Sequence, residues 1–206
     1  KRFERLKKFE LNFDKFIKLA KIAKKHNLHF ISTPFDLESA EKLNDIVDCF
    51  KISSGDNNYF ALIEKILSYK KDIIISTGLL DSRGIRELIN FFKKKNFSLK
   101  KVHFLHCVSD YPVNNTEANL LSIRYLKEKF SINVGYSDHT LGVESSIIAT
   151  SYGASIIEKH FTIDKNFSNF RDHQISADTS EMKKIVELVK KTRILIGTYG
   201  KFISTG

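Results

Sequence analysis

Short apolar runs rich in β-branched and aromatic residues recur at 28–32, 49–53, 72–76, 102–107, 132–137 and 154–161, and the stretches between them carry apolar residues at a helical period. The runs are continuous rather than alternating, the pattern of strands buried on both faces. Asp36 or Ser39 can start a helix that carries Ala40, Leu43, Ile46 and Val47; the next carries Leu62, Ile63, Ile66 and Leu67. Asp81 or Ser82 starts another with Ile85, Leu88, Ile89 and Phe92, and later helices are expected over about 117–130, 143–152 and 179–196. One further helix begins near Phe13, ahead of the first strand. Strand and helix in strict alternation, with no Pro/Gly-rich break, predict a single α/β domain over 1–206, a parallel sheet of the (β/α)8 TIM-barrel type. Only six strands are visible, whereas such a barrel has eight and typically about 250 residues. The expectation is an incomplete barrel, an internal piece of a longer polypeptide.

Each run ends on chemically capable residues: Ser32-Thr33-Pro34, Ser53-Ser54-Gly55-Asp56, Ser76-Thr77-Gly78, His106-Cys107-Val108-Ser109, Ser137-Asp138-His139 and Glu158-Lys159-His160. In a parallel barrel these ends converge on one rim, where such barrels keep their active sites. Any one of them alone would read as a turn former or an N-cap. Lys51 is the most diagnostic. A lysine in mid-strand between Phe50 and Ile52 is costly to bury unless it faces a polar lumen or an anion, or pairs with a strand carboxylate such as Glu158. With Ser54, Ser76 and Ser137 it makes an anion cradle, in which hydroxyls and the backbone at Ser54 and Gly55 supply neutral donors to phosphate oxygens. His139 and His160 close successive strands and Asp172 follows in the next loop, a set that suits a divalent metal or, alternatively, two hydrogen-bonded core histidines. The absence of thiolates steers the metal toward Mn, Mg, Co or Fe before zinc. No Gly-x-x-x-x-Gly-Lys-Ser/Thr or Gly-x-Gly-x-x-Gly occurs, which removes the commonest nucleotide-binding folds.

Composition adds constraints on partners. The chain has 206 residues, 42% of them hydrophobic, enough for a real core. Its 34 Lys+Arg against 24 Asp+Glu would suit a phosphate-rich partner. The lysines, however, fall at 1–8, 21–25, 93–95 and 183–184, inside or just after amphipathic helical patterns where solvated lysines sit, so no nucleic acid is expected. No apolar stretch approaches the roughly 18 residues of a spanning helix, and no basic-then-apolar leader opens the chain. Cys49 and Cys107 lack a Cys-x-x-Cys spacing. A cytoplasmic protein with no membrane partner is expected.

Taken in order, STPFD at 32–36, FKISSGD at 50–56, ISTG at 75–78, FLHCVSDYP at 104–112, VGYSDHTLG at 134–142 and IEKHFTID at 157–164 resemble the sialic acid synthase family. Its members make nonulosonic acids such as N-acetylneuraminate, legionaminate and pseudaminate. The resemblance runs from about Leu28 to Lys201. It implies a (β/α)8 barrel that condenses phosphoenolpyruvate with an N-acetylated amino sugar and releases phosphate. It further implies a divalent metal, manganese before magnesium or cobalt, on His139 and His160, and phosphoenolpyruvate on Lys51, Ser54, Ser76 and Ser137, with Thr33 assisting. Ser109 stands at another phosphoenolpyruvate contact, where some members have Asn. Asp56 is the candidate for orienting or deprotonating water, its alternative being a turn-forming Asp that caps the helix after Gly55. Tyr111, Arg171 and Asp172 are implied on the sugar side, Asp172 reaching the metal through water or the sugar.

The resemblance also implies two further strands ahead of this chain, and an antifreeze-like domain after it whose arginine enters the partner's site in a domain-swapped homodimer. NFRDHQISAD at 169–178 looks more like the synthases that take 2,4-diacetamido-6-deoxy sugars, the legionaminate type, than like those for N-acetylmannosamine. Arg171 there either meets an extra acetamido carbonyl or pairs with Asp172 or Asp178. Two rivals stand beside this reading. Another phosphoenolpyruvate-condensing or aldolase-type barrel, such as a 3-deoxy-octulosonate phosphate synthase, is opposed by the Ser-Asp-His-Thr and Glu-Lys-His-Phe pair. A basic nucleic-acid-binding protein leaves the strand-end series unexplained.

Overall fold

The computed structural model describes residues 2–200; Lys1 and residues 201–206, with the Lys201 end of the resemblance, lie outside the described residues. Strands β1 (Ile31–Ser32), β2 (Cys49–Ile52), β3 (Asp72–Ser76), β4 (Val102–His106), β5 (Asn133–Asp138) and β6 (Ile157–Lys159) form one parallel sheet in chain order, curled into a half-barrel. The helices are α1 (Arg2–Lys7), α2 (Phe13–Lys25), α3 (Leu37–Asn44), α4 (Phe60–Ser68), α5 (Ser82–Lys94), α6 (Leu121–Phe130), α7 (Glu144–Ser151), α8 (Arg171–Gln174) and α9 (Thr179–Ile196).

Local chemistry explains the boundaries. Asp36, not Ser39, caps α3: its Oδ1 accepts from the Ser39 amide at 2.7 Å. Asp81, not Ser82, caps α5, accepting from the amides of Arg83 at 2.9 Å and Gly84 at 2.8 Å. The helix expected from 117 begins only at Leu121, because Asn119 takes a left-handed φ of 41° that a helix does not tolerate. The first run keeps just two residues as strand; β1 is hydrogen-bonded to β2 alone, and Ile31 is exposed.

The continuous apolar runs split into two faces. Phe50, Ile52, Ile73, Ile75, Val102, Phe104, Val134 and Tyr136 point outward into the helices, against Leu62, Ile63, Ile66, Leu88, Phe92, Ile123 and Leu126. Burying each such side chain contributes about 1.5–3 kcal/mol, so this layer holds the fold. The alternate positions, including Lys51, Ser76, Ser137 and Glu158, point into the lumen, which period-two geometry requires. Gly135 lets β5 curl inward: a Cβ there would stand 2.6 Å from Leu105 Cδ2 and 2.7 Å from the Ile156 carbonyl oxygen.

Candidate active site at the strand ends

On the lumen side, four residues from four strands form one polar string. Lys51 Nζ donates to Ser76 Oγ at 2.7 Å and to the Ile52 carbonyl at 3.2 Å, and lies 3.6 Å from Glu158 Oε2. Ser137 Oγ in turn donates to Glu158 Oε1 at 2.7 Å. The Lys51 side chain is only 12% exposed, so its ammonium is largely stripped of water and is compensated by the carboxylate. Lys51 thus both faces a polar lumen and pairs with Glu158. A second group meets at Gly78, whose amide donates to Ser54 Oγ at 3.1 Å. A Cβ on Gly78 would collide with Ser109 Oγ and stand 2.9 Å from Cys107 Sγ and 3.0 Å from Ser54 Oγ, so glycine is what lets these three side chains converge. Burial pushes the Cys107 thiol above its ordinary range, which keeps it protonated. One desolvated ammonium with several hydroxyls is a donor set suited to a small, multiply charged anion.

Beside the string stand the histidines. The rings of His139 and His160 are 5.5 Å apart, centroid to centroid. His139 Nδ1 lies 2.8 Å from the Val108 carbonyl, which can only accept, so Nδ1 carries the proton. His139 Nε2 faces Ser137 Oγ at 3.3 Å, and Ser137 Oγ also bonds Glu158, so this edge of the ring meets the polar string. Burial first, and the neighbouring His139 second, hold His160 below the usual imidazole range and therefore neutral. Asp172 Oδ1 is buried without a hydrogen bond; Arg171 Nε is 3.3 Å away but misaligned. Two imidazoles beside a buried carboxylate oxygen that accepts no hydrogen bond suit a borderline divalent cation. Among the described residues no three His, Cys, Asp or Glu side chains converge as a ready metal cage. The side chains that could hold such a cation are the two imidazoles, with the Asp172 carboxylate nearby.

Of the other expected residues, Tyr111 lies against both histidine rings with Arg171 over it, whereas Asp56 and Thr33 make contacts of their own. Asp56 turns back on Ser53, accepting from its hydroxyl, and does not cap α4, which starts at Phe60 behind Tyr59 without a side-chain cap. Thr33 lines a cleft of about 670 Å³ with Phe9, Phe13, Phe16, Asp36 and Lys42. The Arg171 guanidinium lies over the Tyr111 ring at 4.7 Å. His106, one of the strand-end series, faces outward: its Nε2 is 2.9 Å from the Ala118 carbonyl and its ring stacks on Tyr136, a satisfied core histidine. The sequence offers Glu158 only as an ion-pair partner for Lys51 and Cys107 only as one of the strand-end series; neither is a candidate site residue there. Counting back two residues from His160 places Glu158 on the same face, the signal for its larger part as hub of the string.

The model of the NeuB family matches residues 1–201. The N,N'-diacetyllegionaminic acid synthase of Campylobacter jejuni is 39% identical over 193 residues, covering 93% of this chain and 58% of that protein. The pseudaminic acid synthase of Helicobacter pylori is 36% identical, covering 87% of this chain and 52% of that protein. Among solved structures, the N-acetylneuraminic acid (sialic acid) synthetase of Leptospira borgpetersenii, in complex with citrate, superimposes with a TM-score of 0.89 at 34% identity, covering 95% of this chain and 68% of that one. The chain spans little more than half the length of the curated relatives it matches.

Proposed function

The chain belongs to the NeuB family, and on that premise we propose that it forms the phosphoenolpyruvate-binding and metal-binding part of a nonulosonic acid synthase. One observation carries the reading. The string from Ser76 through Lys51 and Glu158 to Ser137 ends against the His139 imidazole, 3.3 Å from Ser137 Oγ, so an anion site and a metal-ligand pair share one wall. Condensing an anionic enol with a polarised aldehyde needs such adjacency.

In this reading Lys51, Ser54, Ser76 and Ser137, with Ser109 and Thr33 alongside, hold the phosphate and carboxylate of phosphoenolpyruvate. A divalent cation on His139 and His160, manganese before magnesium or cobalt, supplies Lewis-acid polarisation of the aldehyde oxygen. The methylene carbon of phosphoenolpyruvate uses its C=C π pair to bond to the aldehyde carbon, the carbonyl π pair passes to the aldehyde oxygen, which takes up a proton, and a cation is left at the middle carbon. Water adds there and gives up one proton, for which Asp56 is the proposed acceptor; the hydroxyl so formed loses its second proton as the bond from that carbon to the phosphate oxygen breaks, leaving a ketone and inorganic phosphate. Tyr111, Arg171 and Asp172 flank the acceptor, an N-acetylated amino sugar. The proposal includes one barrel domain over 1–206, a cytoplasmic setting that suits the two free thiols, and a domain-swapped homodimer.

Thermal-shift titrations with Mn²⁺, with phosphoenolpyruvate and with an oligonucleotide across a salt series test it. Stabilisation by the first two, and none by the third, is expected. Salt-sensitive oligonucleotide binding without a response to Mn²⁺ or phosphoenolpyruvate would sink the reading.

A further inference from the structure

The residue immediately before each histidine belongs to a buried ion pair. Asp138 and Lys159 are register partners at the last rung of the β5–β6 ladder, their side chains turned to the helix side at 0% and 2% exposure, with Lys159 Nζ 3.2 Å from Asp138 Oδ2. Asp138 Oδ2 also accepts from Ser145 Oγ and Ser146 Oγ, each at 2.7 Å, which ties it to α7. Its Oδ1 accepts from the Thr140 amide at 2.9 Å and the Thr140 hydroxyl at 2.7 Å, and Lys159 Nζ donates to the Thr140 carbonyl at 2.5 Å.

We infer that Asp138 and Lys159 are positioning residues that fix the distance between the His139 and His160 imidazoles. The inference rests on the reading of those histidines as metal ligands. Both histidines lie one residue beyond the end of their strands, where the β5–β6 register stops and strand pairing no longer sets their separation. The ion pair takes over that task from behind. It grips Asp138 and Thr140, the residues on either side of His139, and anchors Lys159, the residue before His160. Alternation then turns both imidazoles to the opposite, lumen face.

The test uses an Asp138→Asn/Lys159→Met double variant, which removes both buried charges together at nearly constant volume and so avoids leaving either one unpaired. Three quantities are read: Co²⁺ affinity from visible absorption, the ¹⁵N shifts of the two imidazoles without metal, and affinity for inorganic phosphate. Expected are a folded protein, Co²⁺ binding weaker by about 10–100-fold, displaced imidazole shifts, and phosphate binding unchanged within about twofold. A folded variant with unchanged Co²⁺ affinity and unchanged shifts overturns the inference. Loss of the fold, or an equal loss of phosphate binding, also overturns it, because the pair would then support the barrel generally. The ligand reading fails separately: if the wild-type protein binds no Co²⁺, or binds it equally after His139→Ala, that reading falls and the inference falls with it.

Discussion

The phenol ring of Tyr111 lies against the His139 imidazole, centroids 4.2 Å apart and planes 28° from parallel. With one ring face covered and Nδ1 tied to the Val108 carbonyl, the imidazole has little freedom to turn its Nε2 edge. Burial, and next the Asp172 charge, raise the Tyr111 pKa, so the phenol keeps its proton at neutral pH. Tyr111→Phe preserves the stack and should leave Co²⁺ affinity nearly unchanged. Tyr111→Ala removes an aromatic contact of about 0.5–1.5 kcal/mol and should weaken Co²⁺ binding by about 2–10-fold in an absorption titration. Equal losses in both variants would assign the effect to the hydroxyl.

Lys51 sets the second expectation. A charge-assisted contact from a desolvated ammonium to phosphate is worth about 1.5–3 kcal/mol, so Lys51→Ala should lower phosphoenolpyruvate affinity by about 10–150-fold in a calorimetric titration. Glu158→Gln should act the other way on free phosphate, because its carboxylate, 3.6 Å from Lys51, opposes any incoming anion. Unchanged phosphoenolpyruvate affinity in Lys51→Ala would reduce Lys51 to a strand residue paired with Glu158.

How much of this was legible beforehand follows from what each feature depends on. The six strands, their order of alternation with helices and the caps at Asp36 and Asp81 rest on local chemistry, and residue patterns carry it. Facing was harder to read. Runs buried on both sides show no polar alternation, so His106 and Cys107 looked equally fit for the rim, although only Cys107 reaches it. Lys51 was readable because one charge inside an apolar run demands a partner. The Asp138–Lys159 pair was not, since it exists only through a strand register that no local pattern encodes. Asn119 ended a helix early through a left-handed backbone that the apolar periodicity around it gave no reason to expect.

The two thiols should be inert. Burial, and next the Asp72 charge, push the Cys49 pKa up to about 11, and burial raises that of Cys107. At pH 8 only about a thousandth of Cys49 is thiolate, the species that reacts. Ellman's reagent should label neither cysteine appreciably in the native protein and both after denaturation. Rapid labelling of Cys107 in the native state would show that the Ser54, Ser109 and Gly78 cluster opens to solvent.

Asp36 carries a pH signature. Hydrogen bonds from the Ser39 amide and hydroxyl lower its folded-state pKa below the ordinary value of 3.8. A depressed carboxylate contributes stability that is present above the unfolded pKa and is lost as pH falls through the folded one. Asp36→Asn keeps a capping acceptor but does not titrate. Melting temperatures of the two proteins should therefore differ most near neutrality and converge as pH falls below about 3.8. A constant difference down to pH 2 would contradict a carboxylate cap.

In the proposed reading, the choice of acceptor sugar is expected to turn on Arg171. Its guanidinium rests on Tyr111 at 4.7 Å, and its Nε lies 3.3 Å from Asp172 Oδ1, so Asp172 is the nearby acid the structure pairs it with. That contact is made through Nε. The side chain is 59% exposed, and the terminal nitrogens keep donors for a second carbonyl, which a sugar with two acetamido groups offers and N-acetylmannosamine lacks. In a full-length enzyme that contains this segment, and not in the 206-residue chain by itself, which is expected to be inactive, we expect kcat/KM for a 2,4-diacetamido-6-deoxy hexose to exceed that for N-acetylmannosamine by about tenfold or more, as a site built to hydrogen-bond a substrate group discriminates against its absence. Arg171→Ala should shrink that ratio by lowering turnover of the diacetamido sugar more than that of the other. A tenfold preference for N-acetylmannosamine, or a ratio untouched by Arg171→Ala, would leave Arg171 as a surface partner of Asp172 and move the specificity elsewhere on the rim.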